Sequence, residues 1–156
     1  MKRILIITIL LSSMYSFAQV GIGTVTPRST LELNGTLQVA HVTLLGGAMP
    51  VIIDDFDAVY ISISPTVNDQ QFQLPDPRDY PGRIYIIRNI ENMINADVTM
   101  DPLAVTAGVL FFAGDSSGGF AGPVNMDSVA PPGTSRTKTL IFISDGSNWT
   151  YGILGF

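Results

Sequence analysis

After residue 18 the chain holds no window of helical apolar periodicity longer than about two turns, and that absence constrains the fold more than any other feature. Period-two alternation recurs instead. In "AVYISIS" Val59, Ile61 and Ile63 point one way and Tyr60, Ser62 and Ser64 the other. In "QFQLP" Phe72 and Leu74 face a core while Gln71 and Gln73 face out, and in "NADVTM" Val98 and Met100 share a face. Half-polar alternation of this kind predicts antiparallel strands with one wet side.

Proline and glycine punctuate these runs. "LPDPRDYPG" carries three prolines and a glycine and must be a loop. "AGDSSGGFAGP" and "APPGTS", at Ala130 to Ser135, are further breaks. Asp145-Gly146 lies between two strand-forming runs and predicts a hairpin with a type I′ turn, Thr139–Ser144 pairing with Asn148–Leu154. The expected organisation is all-β. An N-terminal glycine-containing β segment at 19–50 precedes an antiparallel β-sandwich or jelly-roll head at 51–156, of seven or eight strands. No internal repeat of useful length is visible.

The first residues read as an export signal. Lys2 and Arg3 precede an apolar run from Ile4 to Leu11, and small residues follow at Ser16 and Ala18. A charged start, a short apolar run and small residues before a cleavage point define a secretory signal peptide, here 1–18. The apolar run is too short to span a bilayer, which needs about 20 residues. The expected location is secreted or cell-surface, with no membrane span after cleavage behind Ala18.

Charge and cysteine narrow the classes. All 13 acids follow Ala18, but two of the eight bases precede it, so the mature chain is more acidic than the full chain's net −5. Its bases are scattered, which excludes the clustered Lys and Arg of a nucleic-acid partner. Cysteine is absent. A secreted chain without disulfides must draw its stability from a large core, a metal or oligomerisation, and the 46% apolar content suits surface shared between subunits.

Candidate chemistry is sparse. His41, the only histidine, sits in "LQVAHVTLL" on a strand, with no G-x-S-x-G element elsewhere. Asp54, Asp55 and Asp57 are hard oxygen donors of the kind Ca²⁺ takes, but no D-x-D-x-D-G loop surrounds them, and acids before a strand ordinarily sit in solvent. "VGIG" is not G-x-G-x-x-G, and no helix follows to receive a phosphate. No catalytic residue, metal or cofactor is therefore expected. The aromatic residues offer a ligand platform. Trp149 and Tyr151 alternate on the last strand, with Asn148 beside them and Tyr85 after "PGR". Sugars stack on such rings, although a Trp is more often buried. Asp127-Ser128-Val129 resembles the short Asp-Ser/Thr-apolar O-glycosylation site of Bacteroidota secreted proteins.

"VGIGTVTPRSTLELNG", Val20 to Gly35, resembles the VGIGT-x-x-P element of secreted Bacteroidota proteins and phage tail-fibre-like proteins. The later order "DDFDAVYISIS", "QFQLPDP", "YPGRIYIIRNIEN", "VTM" and "LIFISDGSNWTYG" resembles their β-sandwich head module. The resemblance implies a homotrimeric structural or receptor-facing part. Gly21 and Gly23 would then permit close backbone approach around a trimer axis, and Leu31 and Leu33 would offer an apolar assembly face. The expected function is a non-catalytic structural or adhesive surface protein whose partners are its own copies and a glycan or cell-surface receptor. The alternative is a monomeric carbohydrate-binding module using the surface aromatics.

Overall fold

The computed structural model describes residues 20–54, 57–128 and 137–154. The expected signal peptide, Asp55 and the Ala130–Ser135 break lie outside the described residues. Two compact units meet at Gln38 and Val39, earlier than the expected boundary at residue 50.

In the first unit β1 (Val20–Ile22) pairs in parallel with β2 (Leu31–Leu33), Val20 beside Leu31 and Ile22 beside Leu33. Residues 23–30 make the return, fewer than the dozen or more that parallel neighbours usually need. The glycines make this tight path possible. A Cβ on Gly21 would lie 2.5 Å from the Thr24 carbonyl oxygen, and one on Gly23, at φ +72°, would lie 2.6 Å from that of Asn34. Asn34 closes the unit by donating its backbone N–H to Ile22 (2.9 Å). The two glycines are thus explained inside one chain, without a trimer axis.

In the second unit the chain crosses between two sheets at every strand from β3 to β8. β3 (His41–Leu45), β5 (Tyr60–Ser64) and β7 (Ile84–Asn89) lie side by side in one sheet. β4 (Val51–Ile52), β6 (Gln70–Leu74) and β8 (Ala96–Met100) lie side by side in the other. Because a strand of the opposite sheet intervenes each time, the chain returns in the same direction and these neighbours are parallel. His41, Tyr60 and Ile86 stand abreast, so successive coils take 19 and 26 residues. Such unequal coils leave no repeat in the sequence.

After a short helix α1 (Pro102–Thr106) come β9 (Phe111–Ala113), β10 (Gly119–Phe120), β11 (Val124–Met126), β12 (Thr139–Ser144) and β13 (Trp149–Ile153). The sheets are β10-β9-β13-β12-β7-β5-β3 and β11-β8-β6-β4. The all-β sandwich is as expected. Its strand direction is not, since six of the ten described pairings are parallel. Residues 51–156 hold ten described strands rather than seven or eight, because β4, β9, β10 and β11 are only two or three residues long.

One core lies between the sheets. Ile61, Ile63, Tyr85, Ile87, Phe111, Leu140, Phe142 and Trp149 from the larger sheet meet Phe72, Leu74, Val98, Met100, Val124 and Met126 from the smaller. Helix α1 was not expected. Its signal is local: Asp101 caps it, accepting from the Leu103 N–H (2.7 Å), and Pro102 occupies the first turn.

Candidate functional site

The motifs that single out this sequence converge on one end of the sandwich. The Trp149 indole N–H donates to the Pro75 carbonyl (3.1 Å), and the Ser144 hydroxyl donates to that of Pro77 (2.8 Å). Gly82 donates its N–H to Ser144 (3.0 Å). The proline-rich loop "LPDPRDYPG" is thereby fastened to the β12–β13 hairpin. Arg83 adds its guanidinium over the Tyr80 ring, 5.0 Å from the centroid. In the hairpin Ser144 pairs with Trp149, leaving four residues in the loop. Gly146 alone among them has positive φ, +86°, whereas a type I′ turn centred on Asp145-Gly146 needs it at both. Asp145 replaces that geometry with its side chain, accepting from the N–H groups of Ser147 (2.7 Å) and Asn148 (2.6 Å).

This arrangement decides the fate of the aromatic platform. Trp149 and Tyr85 are fully buried, their rings 5.8 Å apart inside the core. Neither can stack on a sugar in this fold. Asn148 is also committed, its side-chain oxygen accepting from the Leu110 N–H (3.0 Å). Tyr151 is half-buried, stacked on Phe142 and edge-on to Phe111. Loss of hydration raises its hydroxyl pKa, and the charge of Asp115 adds to the rise. The buried hydrogen-bond donor of Trp149 explains its place: Pro75 supplies the acceptor that a buried indole requires.

The other candidates are held by local structure. Asp57 accepts from the Asp54 N–H (2.7 Å) and donates its own N–H to the Asp54 carbonyl (3.1 Å), closing a turn. Among the described residues no three His, Cys, Asp or Glu side chains gather as metal ligands. His41 lies on β3, as expected, and its Nε2 is 3.0 Å from the Ser62 hydroxyl while its ring tilts against Tyr60. Among the described residues no carboxylate is bonded to that ring, so they form no Ser-His-Asp arrangement there. Ser128 is only 1% exposed, which leaves no room for a glycan on its hydroxyl; Val129 lies outside the described residues. In the first unit Leu31 is exposed and Leu33 half-buried, on the same face as Val20 and Ile22.

The residues that stand out functionally are ones the alternation did not mark. Strands β7 and β12 are the middle of the larger sheet and carry unbroken apolar runs, Ile84–Ile87 and Leu140–Ile143. Tyr85, Ile87, Leu140 and Phe142 fill the core. The alternate residues Ile84, Ile86, Ile141 and Ile143 therefore face away from it. They are cross-strand partners, Ile84 with Ile143 and Ile86 with Ile141, and form one apolar block. Ile84 is 41% and Ile143 39% exposed, and Tyr60 stands beside Ile86. Arg88 is the one charged residue that β5, β7 and β12 place on this face, and the Glu91 carboxylate reaches its edge by accepting from the Ser64 hydroxyl (2.5 Å). A continuous apolar run is the pattern of a strand covered on both sides. That was the available signal, and it separates these strands from the alternating β5, β6 and β8.

No family model, no curated protein and no solved structure matches this chain. Among the described residues no helix is long and apolar enough to cross a membrane.

Proposed function

We propose that the protein is a non-catalytic structural or adhesive subunit of an extracellular assembly, exported by residues 1–18 and built by self-association. The observation that carries this reading is the apolar outer face of the larger sheet, Ile84, Ile86, Ile141 and Ile143. A surface of this kind, almost without charge, has nothing to keep copies apart. The occupants are the same faces of further copies turned toward a common axis, and the homotrimer is the state implied by the tail-fibre-like resemblance. Size-exclusion chromatography with light scattering on the purified protein tests it. Three chain masses are expected. A mass of one chain at all concentrations overturns self-association, and a mass of two overturns the trimer alone. Of the rings named for the carbohydrate-module alternative, Trp149 and Tyr85 are in the core and Tyr151 is half-buried.

A further inference from the structure

The chain holds one Asn-Gly pair, Asn34-Gly35, and one Asp-Gly pair, Asp145-Gly146. In each, attack of the glycine nitrogen on the preceding side-chain carbonyl carbon closes a five-membered cyclic imide. Glycine has no Cβ to hinder that approach. Closure then depends on what the nitrogen and the side chain are already bonded to, and here the two pairs differ.

Asp145-Gly146 is locked. The Asp145 carboxylate accepts from the N–H groups of Ser147 (2.7 Å) and Asn148 (2.6 Å). The attacking group, the Gly146 N–H, is spent on the Ser144 hydroxyl (3.1 Å). A Cβ on Gly146 would lie 3.3 Å from the Pro81 ring, so the proline loop also walls this turn.

Asn34-Gly35 is open. Residues 34–40 are exposed. Among the described residues nothing accepts from the Gly35 N–H. The Asn34 side chain makes one contact, its nitrogen 3.4 Å from the Gly23 carbonyl oxygen. That is beyond the usual N–H···O range of about 2.7–3.2 Å. The Asn34 main chain is held on its N-terminal side, where its N–H donates to Ile22 (2.9 Å). Nucleophile, leaving group and water all have access to the same residue.

We propose that Asn34 is a site of spontaneous deamidation. The Gly35 nitrogen gives its proton to hydroxide and attacks the Asn34 Cγ. A Cγ–N bond forms, the Cγ–Nδ2 bond breaks, and the departing nitrogen takes a proton from water and leaves as ammonia. Water then opens the cyclic imide. Opening at Cγ gives aspartate, and opening at the main-chain carbonyl gives isoaspartate, whose backbone runs through Cβ and Cγ. The net change consumes one water and releases one ammonia, with no oxidant or reductant. The position gives this change its weight. No Asp, Glu, Lys or Arg lies from Leu33 to Ile53, so the product is the sole acid of that stretch. It removes the amide donor facing Gly23, and isoaspartate adds one backbone atom just where the chain leaves β2. The inference concerns the first unit alone and does not rest on self-association.

The test is incubation of the purified protein in warm, mildly alkaline buffer, followed by tandem mass spectrometry and enzymatic labelling of isoaspartate. The mass gain of an amide-to-acid exchange is expected at residue 34 ahead of every other asparagine, with isoaspartate in the product. Asp145 should form isoaspartate far more slowly. In Gly35→Ala the product at residue 34 should be largely lost. Nothing lies within 4 Å of a Cβ added at Gly35, so this variant keeps the fold and hinders only ring closure. The inference is overturned if residue 34 stays unchanged over a time in which a free peptide of residues 31–37 converts, or if another asparagine converts first. It is equally overturned if Asp145 forms isoaspartate as fast as residue 34, or if folded Gly35→Ala converts at the wild-type rate.

Discussion

The outer faces of the two sheets differ although they enclose the same core. On the smaller sheet Asn125, Asp97 and Gln71 form one outward row, and Thr99 and Gln73 stand in the next. Asn125 bonds Asp97 across the strands (2.8 Å), and both rows are polar. On the larger sheet the corresponding positions of β7 and β12 are isoleucines. A sandwich needs only its inner faces to be apolar. The second apolar face adds nothing to the core of one chain, and covering it would remove apolar surface from water.

Several substitutions break or sharpen this contrast. The largest effect is expected inside, from Trp149→Ala. It removes a fully buried ring and leaves the Pro75 carbonyl without its donor, so stability should fall by about 3–5 kcal/mol. Chemical denaturation reads it, and a loss below about 1 kcal/mol would mean that Trp149 is not a core residue.

On the apolar outer face, Ile84→Lys combined with Ile143→Asp should leave a folded protein. The two positions are partly exposed and opposite one another, so the new charges pair. The same charges would have to be buried in an assembly, and light scattering should show one chain mass with an unchanged β-type circular dichroism spectrum. An unaltered mass would place the interface elsewhere.

The polar outer face gives the control. Gln73→Lys should keep the oligomer mass and change stability by no more than about 0.5 kcal/mol. The smallest effect concerns the loop at the motif end. Arg78 donates its Nε to both Asp76 carboxylate oxygens (2.9 and 3.1 Å), and this hydrogen bonding holds the Asp76 carboxyl below its ordinary value. A carboxyl lowered in the folded state stabilises above its unfolded value near 3.8 and loses that contribution as pH falls through the folded value. Arg78→Ala should therefore lower stability only slightly at neutral pH, because the pair is solvent-screened. The gap to wild type should close below pH 3.8. A gap independent of pH would assign the effect to packing of the loop.

Much of this architecture is legible in the residues. Alternation correctly orients Ile61, Ile63, Phe72, Leu74, Val98 and Met100 inward, and Asp145-Gly146 marks the hairpin. Strand direction is not legible, because it depends on which sheet the intervening strand joins, a long-range choice that local pattern does not encode. The aromatic platform misleads because period two says only that Trp149 and Tyr151 share a face, not which face. Their register against Phe111 and Phe142 puts it inward. The glycines of β1 also have a local cause, the tight return to Thr24 and Asn34, that spacing alone cannot separate from contact between chains. The outward isoleucines were readable as unbroken runs, once such runs are taken as strands covered on both sides.

The central claim is that the outer face of the larger sheet is covered by another copy of the chain. Light scattering of the wild type beside Ile84→Lys/Ile143→Asp tests it most directly. The account predicts a defined multiple of the chain mass, three chains, for the first and a folded single chain for the second. A wild type that remains a single chain at every concentration measured would contradict it.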